Sequence, residues 1–230
     1  MKKILAATLV LLIGVYACKH EPFVNLGSTN STPPDTIPAG STGVCFTKDV
    51  LPIFQSYCAK AGCHDAATHV EGLVLDSYNN IIKKGITPGS PSNSKLYRVM
   101  VTSDPGNIMP PPGQLPLTQA QKDIIKKWIE EGAKNTACAS NCDPNLFTYS
   151  GFVQPLLQNN CVGCHSGSSA SGGLNLTLYS TVKTLATNGR LYGAITHASG
   201  YIPMPNASSK LSDCEITQIK KWIDAGAPQN

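Results

Sequence analysis

Apolar and polar positions along the chain fall into a pattern that occurs twice. Ile124, Ile125, Trp128 and Ile129 recur at helical spacing, and so do Ile216, Ile219, Trp222 and Ile223. Each stripe begins behind an N-cap residue, Thr118 or Ser212, with Gln121 or Glu215 three positions on, the spacing of a capping box. Gly132 and Gly226 follow where a left-handed C-terminal cap would stand. Two well-marked helices are therefore predicted, over "LTQAQKDIIKKWIEEGA" and "LSDCEITQIKKWIDAGA". A shorter helix, "VLPIF" or "FVQPLL", leads into a cysteine pair in each half. Strand-type alternation is weak throughout, so the chain reads as mostly α with long loops.

The match between halves extends beyond the helices. "DVLPIFQSYCAKAGCH" aligns with "GFVQPLLQNNCVGCH", with Pro52 and Pro155 each six residues before the first cysteine. Leu73 and Leu174 each follow their histidine by nine residues, in "GLVLDSYNNI" and "GLNLTLYSTV". "LYRVMVTSDPGNIMPP" then aligns with "LYGAITHASGYIPMP", and Leu96 to Met109 and Leu191 to Met204 are both thirteen apart. An internal repeat of this kind predicts two similar small domains, 44–138 and 139–230, joined through "ACASNCDPN".

The first 43 residues differ in character. "MKK" and "ILAATLVLLIGVY" form a basic and an apolar region too short for an ordinary spanning helix. They end in "VYAC", which resembles a bacterial lipoprotein signal peptide of residues 1–17 with Cys18 as the lipidated residue. Val15 and the bulky Tyr16 depart from the usual pattern, and the alternative is an ordinary secretory signal beside a chance cysteine. Residues 18–43 include "GSTNSTPPDTIPAGSTG", without apolar periodicity, and read as a flexible tether spanning about 25–30 Å. An exported protein, lipid-anchored to a bacterial membrane and facing the periplasm or cell surface, is the expectation.

Composition supports that picture. Nine cysteines point to an oxidising compartment. Charged residues are only 14%, with 20 Gly and 17 Pro, which favours loop-rich domains. The net charge of +4 includes Lys2 and Lys3, and what remains is too small to argue for nucleic acid. Domains of this size with so much loop need a staple or cofactor beyond an apolar core.

"CVGCH" at 161–165 is C-x-x-C-H, the pattern of covalent haem attachment. Cys161 and Cys164 lie about one helical turn apart, and His165 follows where it can face the iron. A zinc half-site would want another Cys or His pair, and the C-terminal half offers only His197 and Cys214. A thioredoxin-like dithiol expects a βαβ context, absent here. "CAKAGCH" at 58–64 has the same ends with two more residues between Cys58 and Cys63. Its repeat register favours haem at His64, while thioethers and a Cys58–Cys63 disulfide both stay open. Met109 in "NIMPPP" and Met204 in "IPMPN" stand at matched positions before a proline and are the candidate sixth ligands. Met100 is a weaker candidate because its partner is Ile195, and the unmatched His69 and His197 read as surface residues.

The cysteine motif, "GL-L", "LY", "MPP" or "MP", and "LT…I.KWI..GA", in that order, resemble small class I c-type cytochromes, and among them the planctomycete-type cytochrome c domain. The likeness covers nearly all of 46–228, twice. It implies two tandem cytochrome c-like domains holding two haem c groups. Cys161, Cys164, His165 and Met204 would serve one, and Cys58, Cys63, His64 and Met109 the other. The spacing of Cys58 and Cys63 departs from the family pattern and puts covalent attachment there in doubt. Because that fold brings its terminal helices together, the resemblance also implies disulfides Cys45–Cys138 and Cys142–Cys214, with Cys138–Cys142 the main rival. The expected function is an electron carrier passing single electrons between redox partner proteins, not an enzyme. The alternatives are a haem subunit of a dehydrogenase or peroxidase-type enzyme, and a disulfide-stapled binding module with haem only in the second domain.

Overall fold

The computed structural model describes residues 35–37, 43–138, 143–168, 170–206 and 208–230, all within one compact unit, Ser31–Asn230. Cys18 and Cys142 lie outside the described residues. The described chain is mostly helical. In the first half, α1 is a continuous helical run made of Phe46–Val50, Leu51–Ile53 and Phe54–Cys58, followed by α2 (Tyr78–Lys83), α3 (Lys95–Val101) and α4 (Gln119–Glu130). In the second half, α5 is made of Tyr149–Val153 and Gln154–Asn160, followed by α6 (Tyr179–Thr187), α7 (Arg190–Ile195) and α8 (Asp213–Asp224). No helix of the described residues is long and apolar enough to cross a membrane.

The predicted caps are present. Thr118 accepts from the Gln121 N–H while the Gln121 side chain accepts from the Thr118 N–H, and Ser212 and Glu215 do the same. Gly132 and Gly226 take φ of +95° and +88° behind these helices. Pro52 and Pro155 sit inside α1 and α5, where a missing N–H interrupts the i→i−4 ladder. The turns beside them are wound wide, with Leu51 N–H donating to Phe46 O and Gln154 N–H to Tyr149 O.

Each half builds its own apolar cluster. Phe46, Ile53, Phe54, Ile125, Trp128 and Ile129 centre the first; Tyr149, Val153, Leu157, Ile216, Ile219 and Trp222 centre the second. Leu115 packs against both. The clusters repeat in detail. Phe46 meets Tyr78 edge-on at 5.1 Å and Trp128 at 5.3 Å; Tyr149 meets Tyr179 edge-on at 5.0 Å and Trp222 at 5.7 Å. The buried indoles each find an acceptor: Trp128 donates to Lys134 O at 2.9 Å and Trp222 to Pro228 O at 2.8 Å. The tyrosines close each C-terminal turn, Tyr78 onto Ala133 O and Tyr179 onto Ala227 O. Met100 is a buried core residue of α3.

The sequence gives no warning of a small parallel sheet. Asp35–Ile37 (β1), inside the stretch read as tether, pairs with Thr136–Cys138 (β2) in the register Asp35↔Thr136. Beside it Cys45 and Cys138 form a disulfide with Cα atoms 5.8 Å apart, the pairing that the cytochrome resemblance implied. Cys214 is also disulfide-bonded.

Candidate functional site

Each cysteine motif sits where a helix ends. Cys161 caps α5, and the chain turns at once: Cys164 N–H donates to Cys161 O at 3.1 Å and His165 N–H to the same carbonyl at 3.0 Å. In the first half the turn is longer. Cys63 N–H donates to Lys60 O at 2.9 Å, and His64 N–H reaches Cys58 O at 3.1 Å. The two extra residues are therefore taken up in the tip of the turn, and the histidine returns to the same place relative to the first cysteine. All four motif cysteines are unpaired, so Cys58 and Cys63 are not joined to each other.

The histidines are held alike. His64 Nδ1 lies 3.1 Å from Val70 O, and His165 Nδ1 lies 2.9 Å from Ser171 O, six residues downstream in both cases. A carbonyl can only accept, so Nδ1 carries the proton and Nε2 keeps its lone pair. That is the tautomer and the outward support that a metal-ligating histidine requires. Downstream bonds brace each loop further: Val70 N–H to Cys63 O and Leu75 N–H to His64 O, matched by Ser171 N–H to Cys164 O and Leu176 N–H to His165 O.

Burial pushes the thiols of Cys58 and Cys161 up to about 12 and raises Cys164 as well. At neutral pH these sulfurs are protonated thiols, the form whose S–H adds across a vinyl group to leave a thioether with no other product. A haem held here would take both the sulfur and the proton of each thioether from the chain.

A cleft of about 1680 Å³ opens beside the second motif. It exceeds the roughly 300–1,000 Å³ of ordinary small-molecule pockets. Cys161, Cys164, His165 and Met204 all line it, with Leu185 and Leu191 among its apolar walls. Two thiols, a tautomerically fixed imidazole and a thioether around one large apolar cleft fit a covalent haem. Cys63 also reaches the cleft, whereas His64 and Met109 do not line it. The methionine loops match in their anchoring: Met109 N–H donates to Val99 O at 2.8 Å and Met204 N–H to Ala194 O at 3.0 Å. Both Met–Pro bonds are cis.

Two features escape a reading of the sequence. His197 is exposed at the surface, as expected, yet its Nε2 lies 3.1 Å from Met204 O and ties down the methionine loop. Its counterpart Thr102 only accepts from Asp104 N–H within its own turn. The other feature is that the two motifs abut. Tyr57 OH donates to Gln158 O at 2.9 Å, Gln121 Nε2 donates to Asn159 Oδ1 at 3.1 Å, and Gly163 N–H donates to Ser56 Oγ at 3.2 Å. The Cys164 thiol points at Ser56 O, 3.5 Å away. A Cβ on Gly163 would stand 2.2 Å from Ser56 O, so the second loop touches the first backbone to backbone.

Residues 61–113 match the family model described as Planctomycete cytochrome C. This stretch, which holds Cys63, His64 and Met109, is similar to a cytochrome c domain, a class that binds haem and carries electrons. No match to the chain was found among curated proteins or among solved structures.

Proposed function

We propose that the protein is a dihaem c-type cytochrome that carries single electrons between redox partner proteins, anchored through a lipidated Cys18 at a bacterial membrane. The observation that carries this reading is the pair of motif histidines with identical Nδ1–carbonyl support, each beside two free thiols. Haem bound there would cycle between ferric and ferrous iron, taking up and releasing one electron at a time. Cys161 and Cys164 would tether one group and Cys58 and Cys63 the other, with Nε2 of His165 and His64 as near ligands and the sulfurs of Met204 and Met109 as far ones. Methionine on the far side favours a raised potential and closes the position that an oxygen or peroxide enzyme would need open. Close packing of the two loops keeps the attachment points side by side within one chain, the arrangement required for passing an electron internally.

Maturation in a host with haem-ligation machinery, followed by intact mass and a pyridine haemochrome assay, tests the proposal. Two covalent haems are expected. A single haem, lost on C161A/C164A, would favour the narrower alternative with haem only in the second half, which the cleft beside His165 and Met204 supports. No haem at all overturns the cytochrome reading.

A further inference from the structure

The two motifs differ in one feature that the cofactor itself does not explain, the two additional residues in "CAKAGCH". They carry a lysine out of the first loop and across to the second. Lys60 Nζ donates to Gly163 O at 3.2 Å and to Gln114 Oε1 at 2.7 Å. Gly163 is the residue between Val162 and Cys164, inside the second attachment loop, and its N–H is already bound by Ser56 of the first half. Both faces of that one peptide residue are thus gripped from the other repeat, the N–H by a hydroxyl and the carbonyl by an ammonium.

Lys60 is half-buried and lines the cleft together with Cys63, Cys164 and His165. Both of its hydrogen bonds go to neutral acceptors, so they leave its charge standing at the seam. A charge held in a partly desolvated cleft acts far more strongly than one in open water.

We propose that the lengthened first loop is a clamp for the second, with Lys60 as a positioning residue that fixes the Gly163 carbonyl and sets a positive charge beside the Cys161–His165 centre. The charge-setting half of this inference rests on haem occupying that centre; the clamp does not. A fixed cation stabilises the state with one more electron, so Lys60 raises the reduction potential of the second centre. No group is transferred and no proton need move.

The experiment uses the full matured chain in four forms: unaltered, K60Q, K60R and, as a control from elsewhere in the same cleft, K48Q. Potentials come from optical redox titration, and loop order from hydrogen exchange at Gly163 and Cys164. K60Q is expected to lower the potential of the second centre and to speed exchange at those amides by about two- to tenfold, the size of one hydrogen bond. K60R should keep both near the unaltered values, and K48Q should move the potential less and the exchange not at all. Equal potentials and equal exchange in K60Q and the unaltered chain overturn the clamp while leaving the haem count intact. Should no haem be attached, the functional reading and the charge-setting half fail together, and exchange in the same K60Q chain still decides the clamp.

Discussion

In the second cysteine loop, Cys161 to His165, the backbone turns within a single residue pair and lies against the first repeat with no space for a side chain at Gly163. In the first loop, Cys58 to His64, the backbone swings outward, and Gly62 at the bend has φ +83° with nothing within 4 Å of its missing Cβ. Both nonetheless deliver a histidine whose Nδ1 meets a carbonyl six residues later. The comparison separates what the ligand geometry requires from what the contact between halves requires. The histidine, its carbonyl and the cysteine before the loop are the same on both sides. Loop length and the residue at the bend are free to differ, and they differ in complementary ways.

Ligand substitutions should break the comparison most sharply. His165→Ala and His64→Ala are each expected to abolish the low-spin visible spectrum of one centre and leave that of the other, read from reduced-minus-oxidised spectra. If His64→Ala changes nothing, the two loops are alike in shape alone. The next effect in size comes from the disulfide. Cys45 and Cys138 close a loop of sequence separation 93, for which the chain-entropy model gives about 4–5 kcal/mol. C45A/C138A should lower the denaturation midpoint of the first half accordingly, monitored through Trp128, while Trp222 reports a smaller change.

The glycines sharpen the contrast. Gly163→Ala places a methyl against the Ser56 carbonyl, an overpacking expected to cost about 3 kcal/mol and to loosen the seam. Gly62→Ala meets no atoms and costs only the left-handed backbone, about 1–2 kcal/mol. Urea denaturation of the two variants should rank them in that order; the reverse order would mean that the seam is not packed as described. Smallest of all, Thr118→Ala and Ser212→Ala should each cost about 1 kcal/mol, because the two capping boxes are built alike.

Much of this was legible because it is local. The capping boxes and the tryptophan stripes are each written within a dozen residues, and the structure carries them as read. Repetition added the register that tied Met109 to Met204 and His64 to His165. The Cys45–Cys138 bond came from a resemblance in fold rather than from spacing. What stayed hidden joins distant residues of ordinary type. Ser56 and Gly163 lie 107 positions apart, and neither a serine nor a glycine announces a partner. Nothing in the sequence marks Lys60 for the Gly163 carbonyl, or the surface residue His197 for that of Met204. The strands β1 and β2 are three residues long, below the length at which alternation means anything.

The missing side chain at Gly163 has a consequence for how this sequence can change over time. An internal repeat ordinarily lets one copy drift while the other keeps the work. Here the absence of bulk in one copy is matched by a backbone path in the other, and an insertion in the first by a carbonyl in the second. Neither copy can be exchanged for its twin. Two copies of the short loop would lose the lysine, and two copies of the long one would lose the close contact, so the two halves have become different parts of one object.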